Sequence, residues 1–420
     1  LSLAPVMWET SKINFIDTPG FFDFSGEVDA AVRVADAAVI ALDGKAGVEV
    51  GAEIAWDKAQ EAKIPCAFFV NKCDDPESNF DRVLTQLKDK FGIRVCPAMV
   101  PVDHKGKKTF ISLAERMAYT FDERGKRSED PMDDELRSVV DKYTQQFNEA
   151  IAETSDELME KFFEGEAFTQ KELIDGIHNG MNRGIITPVV CTSASELAGI
   201  DMLLKEIELL LPSPCEVYAP EAYNPAKEVI ETHCSLSEPL AAYVFKTIAD
   251  PFVGKMSMIR VMSGKLEANS EVVNATTGAA EKIGKLYNLC GKKQTEVSCA
   301  CAGDIVVASK ISANTGDTLS TASRIIEFPQ MEFPRPCYSM AVKAKTQGDE
   351  AKISASMQRL TEEDPTLTYT QDEDTKEQIL SGLGEQHIEV AAAKLKSKFG
   401  VEVNLTVPKI AYKETIRKKV

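Results

Sequence analysis

The chain has 420 residues, 44% of them apolar and 27% charged, with 48 Lys and Arg against 66 Asp and Glu. This length suggests roughly three domains, the apolar share is enough to bury cores, and no apolar run approaches the ~18 residues of a membrane span. The net charge of −18 excludes a globally basic nucleic-acid binder, so any RNA contact must use a local patch.

The first half of the chain has the pattern of an α/β domain. Short apolar runs alternate with helical stretches from Lys12 to Leu211, as in a parallel sheet covered by helices. Its strands are predicted at residues 12–17, 37–43, 66–72 and 187–194. More than a hundred residues separate the third strand from the fourth. One crossover cannot use so many, and we expect an inserted helical subdomain at about 93–168.

A Pro-rich stretch at 211–225, LPSPCEVYAPEAYNP, ends this first domain. It can continue neither a helix nor a central strand, and we predict a linker. In residues 239–322, within a domain predicted at 226–325, Thr, Val and Ile alternate with polar residues, and turn signals such as SGK punctuate the runs. This pattern is typical of a β-barrel.

A second Pro-rich stretch, FPQMEFPRP, leads into a domain predicted at 332–408. Its order is strand, helix Glu350–Glu363, two strands, helix Glu385–Phe399 and strand, which is the ferredoxin-like βαββαβ motif. We interpret the acidic run Thr361–Asp364 as a solvated helix end. His387 is interpreted as a helix-packing residue rather than a ligand.

The motif DTPG directly follows the first predicted strand, where an open α/β sheet places its ligands. The carboxylate of Asp17 can hold a magnesium-bound water, and the Gly20 amide can approach a phosphate closely because glycine has no Cβ. Thr18 and Pro19 complete the motif. DxxG fixes only two residues, so an ordinary Asp at a strand-to-turn junction is the alternative.

The motif NKCD closes the third predicted strand. The acceptor-only carboxylate of Asp74 suits the paired N–H donors of guanine, which adenine lacks. The alkyl stem of Lys72 can cover the face of the ring, and Asn71 begins the motif. A polar strand end without a ligand is the alternative.

Thr192, Ser193 and Ala194 close the fourth predicted strand, where a backbone amide could donate to the guanine carbonyl. DxxG, NKxD and SA thus follow three strands in this order, which predicts a guanine-nucleotide site. The phosphate loop GxxxxGK[ST] is missing, since seven Gly-Lys dipeptides occur and none is followed by Ser or Thr.

The chain resembles elongation factor G, the translocation GTPase family of the bacterial ribosome, over almost its whole length. The resemblance rests on DTPGFFDFSGEV, NKCD, the long insertion, CTSA, LPSP, the predicted barrel and SGLGEQHIEV. It implies a P-loop-NTPase-type G domain at 1–215, incomplete at its N-terminus, then that family's second and third domains, and the start of a missing C-terminal region at 409–420. By this comparison the phosphate loop lies outside the chain, which we expect to be inactive alone.

The same resemblance implies binding of GTP or GDP with Mg²⁺, and GTP hydrolysis on the ribosome coupled to tRNA and mRNA translocation or a related step. Ribosomal RNA and ribosomal proteins are the implied partners of a cytoplasmic monomer. Asp17 would sense magnesium through water, and Gly20 the γ-phosphate. The residues implied around the base are Asn71, Lys72, Asp74, Ser193 and Ala194.

One residue departs from the family pattern. After DTPG the family usually has a His that positions the attacking water, whereas this chain has Phe21, whose ring cannot hydrogen-bond water. This favours a divergent paralogue or a relative among the ribosomal-protection proteins over the housekeeping factor. The rival hypothesis is a ribosome-binding regulatory module that does not hydrolyse GTP.

Overall fold

The structure is a computed structural model, and it describes residues 1–130, 132–217, 220–250, 254–346 and 348–412. Residues 413–420 of the predicted C-terminal region therefore lie outside the described residues. The chain forms two compact units: Leu1–Val6 with Lys12–Val34 and Ala219–Val420, and Met7–Ser11 with Ala35–Tyr218. Each unit is described by itself.

The chain begins with a pair of strands. Strands β1 (Ser2–Trp8) and β2 (Ser11–Asp17) form a two-stranded sheet, followed by a 3-10 turn at Phe22–Phe24 and helix α1 (Ser25–Val32). A strand at 12–17 is therefore confirmed, but its predicted place in the parallel sheet is wrong. Two turn residues link β1 to β2, and Glu9 takes a left-handed φ of 45° there. Pairing with β1, only two residues away, costs little loop-closure entropy. Alternation of apolar and polar residues predicts a strand but does not specify which strand it pairs with.

The second unit is built on a parallel sheet. Its first elements are β3 (Ala38–Asp43), α2 (Val50–Glu61), β4 (Cys66–Asn71), α3 (Phe80–Phe91) and β5 (Val95–Pro97). After an insertion the chain returns through β10 (Thr187–Cys191) to α7 (Ile200–Leu210). The sheet order is β3-β4-β10-β5, with every pair parallel. Strand β10 is buried at all five positions, as expected for a strand covered on both faces.

The insertion is not wholly helical, and the prediction needs correction here. It contains β6 (Met99–His104), β7 (Lys107–Ser112), β8 (Met117–Phe121), β9 (Arg127–Asp130), α4 (Asp134–Ala152), α5 (Asp156–Phe163) and α6 (Gln170–Asn182). The four strands form one antiparallel sheet. Lys105 and Gly106 join β6 to β7 with φ of 49° and 76°, a two-residue hairpin turn whose Gly was visible in the sequence.

Side-chain caps begin the helices of the insertion. Asp133 and Ser155 accept hydrogen bonds from the first turns of α4 and α5. Thr169 and Glu172 form a capping box at the start of α6. Among the helices of the described residues, none has the length and apolar content that a membrane span needs.

The predicted second domain is confirmed as a β-rich domain. It contains β11 (Ala222–Tyr223), β12 (Val229–Ile230), β13 (Ala241–Asp250), β14 (Gly254–Ser263), β15 (Lys265–Glu267), β16 (Glu271–Asn274), β17 (Ala280–Lys282), β18 (Leu286–Cys290), β19 (Lys293–Val297), β20 (Cys299–Cys301), β21 (Ile305–Ser309) and β22 (Thr318–Ser320). Eight strands form an antiparallel sheet in the order β17-β16-β22-β13-β14-β21-β18-β19. Val244, Ile259 and Val306 are buried in its core.

The third domain has the predicted βαββαβ order. Its elements are β23 (Tyr338–Ala344), α8 (Glu350–Glu363), β24 (Thr368–Gln371), β25 (Gln378–Gly382), α9 (Glu385–Phe399) and β26 (Val403–Thr406). The antiparallel sheet has the order β24-β25-β23-β26. Met357, Leu380 and Leu395 are fully buried between the sheet and its two helices.

Candidate guanine-nucleotide site

The NKCD motif forms the turn that leaves β4. Asn71 is the last residue of the strand, and Lys72 reverses the chain with a left-handed φ of 60°. Cys73 is buried, and its amide donates to the carbonyl oxygen of Thr192 over 3.1 Å, which ties the turn to the segment after β10. Asp74 is exposed. The turn therefore presents the Asp74 carboxylate at the carboxyl edge of the parallel sheet.

Two hydroxyl groups orient that carboxylate. Ser193 is buried, and its Oγ donates to Asp74 Oδ1. Ser195 Oγ lies 3.4 Å from Asp74 Oδ2. Both serines come from the segment that follows β10, the neighbour of β4 in the sheet. A carboxylate fixed in this way keeps lone pairs for donors that approach from the exposed side.

Asn71 connects the same two segments. Its side-chain Oδ1 accepts from the Ala194 amide over 3.0 Å. The neighbouring amides donate to the backbone, Thr192 N to Val70 O over 3.0 Å and Ser193 N to Ala198 O over 2.9 Å. A guanine carbonyl bound here would share the Ala194 amide with Asn71 or replace that bond.

The DTPG motif belongs to the other unit, at the end of β2. Asp17 is exposed, and an exposed carboxylate is a hard oxygen ligand of the kind that Mg²⁺ prefers. Thr18 and Pro19 are half-buried. A Cβ added to Gly20 would meet no atom within 4 Å, so packing does not require a glycine there.

The three motifs do not all follow strands of one sheet, which corrects the sequence-based argument. Asn71–Asp74 and Ser193–Ala194 follow the adjacent parallel strands β4 and β10, whereas Asp17–Gly20 follow β2 of a two-stranded sheet. The local pattern of an apolar strand before DxxG is the same in either case, so sequence could not distinguish them.

The residues after DTPG divide into an exposed pair and a docked pair. Phe21 and Phe22 are 65% and 56% exposed. Asp23 Oδ2 accepts from the backbone amide of His387 over 3.3 Å, and the Phe24 ring meets the His387 ring edge-on at 5.6 Å. All of these residues lie in one unit, so the segment after DTPG is anchored on the start of α9.

His387 is buried, as its packing role predicts, but it also has polar partners. Its Nδ1 accepts from Leu383 N over 3.1 Å, so Nε2 carries the proton and donates to Asp364 over 3.0 Å. Burial alone would raise the pKa of Asp364, but hydrogen bonds from His387 and Thr366 outweigh it and hold that pKa below its ordinary value.

The acidic run at the end of α8 is buried in part, so its interpretation as a solvated helix end is wrong. Glu363 is 5% exposed and Asp364 9%. Lys394 and Lys398 on α9 hold Glu363 at 2.9 and 2.7 Å. Only the packing of α8 on α9 brings these partners together, and a local charge pattern does not reveal it.

Sequence reasoning also missed Ser195 and Asp43. Ser195 directly follows Ser193-Ala194, and its position beside a proposed base site was a usable signal. Asp43 ends β3, next to β4, and its Oδ2 lies 2.7 Å from Lys72 Nζ. Hydrogen bonds from Lys72 and from the Lys45 amide lower the pKa of Asp43 to about 2.

One group of three possible metal ligands occurs among the described residues. Ligand atoms of His104, Asp133 and Glu135 lie within 4.8 Å of one another. Lys105 Nζ lies 2.8 Å from Asp133 Oδ2, and Asp133 Oδ1 caps α4 by accepting from Leu136 N over 3.0 Å. These bonds account for the cluster, and we assign no metal to it.

Comparisons with known proteins agree with this architecture. Residues 1–213 match the family described as Elongation factor Tu GTP binding domain, residues 239–322 match Elongation factor G domain 2, and residues 333–407 match Elongation Factor G, domain III. A crystal structure of a protein from Thermus thermophilus is similar, with a TM-score of 0.85 and 31% identity over 97% of this chain. The chain spans 59% of that protein. The chain therefore belongs to the elongation factor G-like family of translational GTPases.

Proposed function

We propose that the gene product containing this chain binds GTP and hydrolyses it on the ribosome, in translocation or a related step. The single observation that supports this most is the Asp74 carboxylate, oriented by Ser193 and Ser195 at the carboxyl edge of a parallel sheet. Two acceptor oxygens fixed side by side complement the paired N–H donors of guanine, and adenine offers no such pair.

The proposed base site uses both sheet segments. Asp74 accepts from the guanine donors, Ala194 N donates to the guanine carbonyl, and the stem of Lys72 covers one face of the ring. Asn71 and Ser193 hold the two segments together, as their hydrogen bonds to Ala194 N and Asp74 indicate.

The proposed phosphate and metal contacts come from DTPG. Asp17 would hold Mg²⁺ through a water molecule, and Gly20 N would approach the γ-phosphate, with Thr18 and Pro19 shaping the turn. The sequence contains no GxxxxGK[ST] loop, whose amides and Lys neutralise phosphates in this class of site. We therefore expect this chain to bind GTP weakly and to be inactive alone.

The remaining assignments follow the family. We propose domain limits at 1–215, 226–325 and 332–408, with 409–420 beginning a further region. We propose ribosomal RNA and ribosomal proteins as partners, and a cytoplasmic monomer. With a net charge of −18, contacts to RNA would use local patches.

The second candidate function is a ribosome-binding regulatory or ribosomal-protection module without turnover. Phe21 favours it, because a ring 65% exposed at the position of the family's water-positioning His has no group to orient water.

The test is ribosome-stimulated GTP hydrolysis by the gene product that contains this chain, with Asp17→Asn as the magnesium-site variant and Asp29→Asn as a carboxylate control. We expect hydrolysis that depends on ribosomes, is lost in Asp17→Asn and survives in Asp29→Asn. GTP binding without any stimulated hydrolysis would instead support the non-hydrolysing module.

A further inference from the structure

Strands β3 and β4 run side by side and end together. In the parallel ladder Asp43 is paired with Asn71, the last residue of each strand. The chain after β3 therefore lies beside the NKCD turn. The clearest sign of this neighbourhood is the ion pair from Lys72 Nζ to Asp43 Oδ2, at 2.7 Å.

The Asp43 carboxylate is itself held from its own turn. Its Oδ1 accepts from Lys45 N over 2.8 Å and from Ala46 N over 3.2 Å. Gly47 N donates to the Asp43 carbonyl oxygen over 2.8 Å and closes the turn. Asp43 Oδ1 thus holds the turn while Oδ2 faces Lys72. The turn amides therefore orient the carboxylate independently of Lys72.

The two loops also meet through their backbones. Gly44 N donates to Asn71 O over 2.9 Å, and Asn79 N donates to Gly44 O over 3.1 Å. A Cβ at Gly44 would lie 2.2 Å from Ser78 Oγ and 3.0 Å from Asn71 O. This close approach fixes the distance between Asp43 and the start of NKCD, which a flexible pair of surface loops would not do.

Lys72 needs such an anchor to have a defined side-chain course. The backbone of Lys72 has a left-handed φ of 60°, and the Lys72 side chain is 57% exposed. A free lysine side chain at that exposure samples many rotamers, and fixing it on a ligand costs entropy. With Nζ held by Asp43, the four-carbon stem spans the distance from the NKCD turn to the carboxylate that ends β3.

We propose that Asp43 is a positioning residue of the base site: it holds Lys72 Nζ so that the lysine stem forms an apolar cover for one face of guanine. This inference rests on the proposed function. It adds to the proposed base site a residue of the neighbouring strand that lies outside the recognised motifs. Asp43 would affect base affinity through Lys72.

The ion pair is too exposed to matter much for folding. The Asp43 and Lys72 side chains are 29% and 57% exposed, and such pairs contribute little to the stability of a fold. Asp43→Asn, which keeps an acceptor for Lys45 N and Ala46 N, should therefore leave the unfolding midpoint nearly unchanged. It should weaken nucleoside binding by about fivefold, the size expected when one long side chain must be ordered by the ligand.

The experiment is an NMR saturation-transfer titration of this chain with guanosine and with adenosine, which need no phosphate site. The variants are Asp43→Asn, which keeps an acceptor for the turn but removes the charge, Lys72→Met, which keeps an apolar stem without the ammonium, and the double variant. Glu53→Gln is the matched control, because Glu53 on α2 pairs with Lys90 on α3 at a similar distance, 2.8 Å.

We expect Asp43→Asn and Lys72→Met each to weaken guanosine binding by about fivefold, the double variant to be no weaker than Lys72→Met, and Glu53→Gln to match wild type. An unaltered guanosine affinity in Asp43→Asn would overturn the inference. So would an Asp43→Asn effect of the same size in the Lys72→Met background, since Asp43 would then act on the turn alone. If wild type does not prefer guanosine to adenosine, the proposed function fails, and this inference fails with it.

Discussion

His387 Nε2 donates to the carboxylate of Asp364 over 3.0 Å, and this bond joins the start of α9 to the residue that follows α8. Both residues are buried. The same His387 contacts the segment after DTPG through its ring and its backbone amide. The same histidine of the third domain thus pairs with Asp364 and contacts the residues that follow the proposed phosphate-sensing loop.

Removing the acceptor from this network should destabilise the unit that contains it. Asp364→Ala leaves the buried His387 Nε2–H and the Thr366 amide without their partner, which costs about 2 to 3 kcal/mol. Urea unfolding of wild type and variant measures the difference. Glu373→Ala, which removes an exposed carboxylate from the same domain, should stay within about 0.5 kcal/mol of wild type.

The pH dependence of this effect has a definite sign. The pKa of Asp364 is lower in the folded chain than its ordinary value of 3.8, so the carboxylate stabilises the fold above that pH, and its contribution is lost as the pH falls. The difference in free energy of unfolding between wild type and Asp364→Ala should therefore become smaller below about pH 4. A gap that widens in acid would contradict the assignment.

A second buried carboxylate should act in the opposite direction. Glu206 is 4% exposed; its Oε1 accepts from Ser112 Oγ over 3.0 Å, and no described residue hydrogen-bonds to its Oε2. Burial raises the pKa of Glu206 to about 7. The neutral Glu206 carboxyl leaves the free energy of unfolding undiminished below the ordinary pKa of 4.5. That free energy falls as the pH rises from there through 7, because the unfolded chain ionises Glu206 while the folded chain still holds the proton.

Glu206→Gln should remove that penalty. We expect equal free energies of unfolding for variant and wild type near pH 4, and a gain of about 3 kcal/mol for the variant near pH 8. Urea unfolding at the two pH values measures it, with the exposed Glu157→Gln as a control that should show no such pH-dependent gain. A variant that is less stable at both pH values would mean that the carboxylate has a partner that glutamine cannot replace.

The contact between Asp23 and α9 depends on the absence of a side chain at Gly384. A Cβ there would lie 2.3 Å from Asp23 Oδ2, so Gly384→Ala should push the Asp23 carboxylate away from the His387 amide. Gly384 has φ of −170°, which alanine adopts without strain. We expect faster hydrogen exchange at the His387 amide, with unchanged exchange at Leu395 within the same helix. Unchanged exchange at His387 would show that Asp23 does not protect it.

Much of the architecture could be predicted because its signals are local. The helix predicted at Glu350–Glu363 has those bounds in the structure, and NKCD follows a strand of the parallel sheet as expected. What failed depends on which elements pair or pack with each other. The strand at 12–17 pairs with β1, and Glu363 is buried because Lys394 and Lys398 come from another helix. Periodicity identifies an element but not what it packs against.

The exposed ring of Phe21 leads to a prediction about turnover. Since it cannot orient water, ribosome-stimulated hydrolysis should be slow, and Phe21→His should raise the rate by about tenfold, taking one positioned hydrogen bond as ~1.4 kcal/mol of the barrier. Phe22→His serves as the control for a new imidazole one residue away. A fast wild type that Phe21→His does not accelerate would mean that another group orients the water.

The most direct test of the account is the base preference of the Asp74→Asn variant, measured by NMR titration of this chain with guanosine and xanthosine. Asparagine presents its own N–H donors where Asp74 presents acceptors, and the carbonyl of xanthine can accept from them. We predict that wild type prefers guanosine and that Asp74→Asn shifts the preference toward xanthosine by about tenfold or more, while Asp75→Asn keeps the wild-type order. An unchanged guanosine-to-xanthosine ratio in Asp74→Asn would contradict the placement of Asp74 in a guanine site.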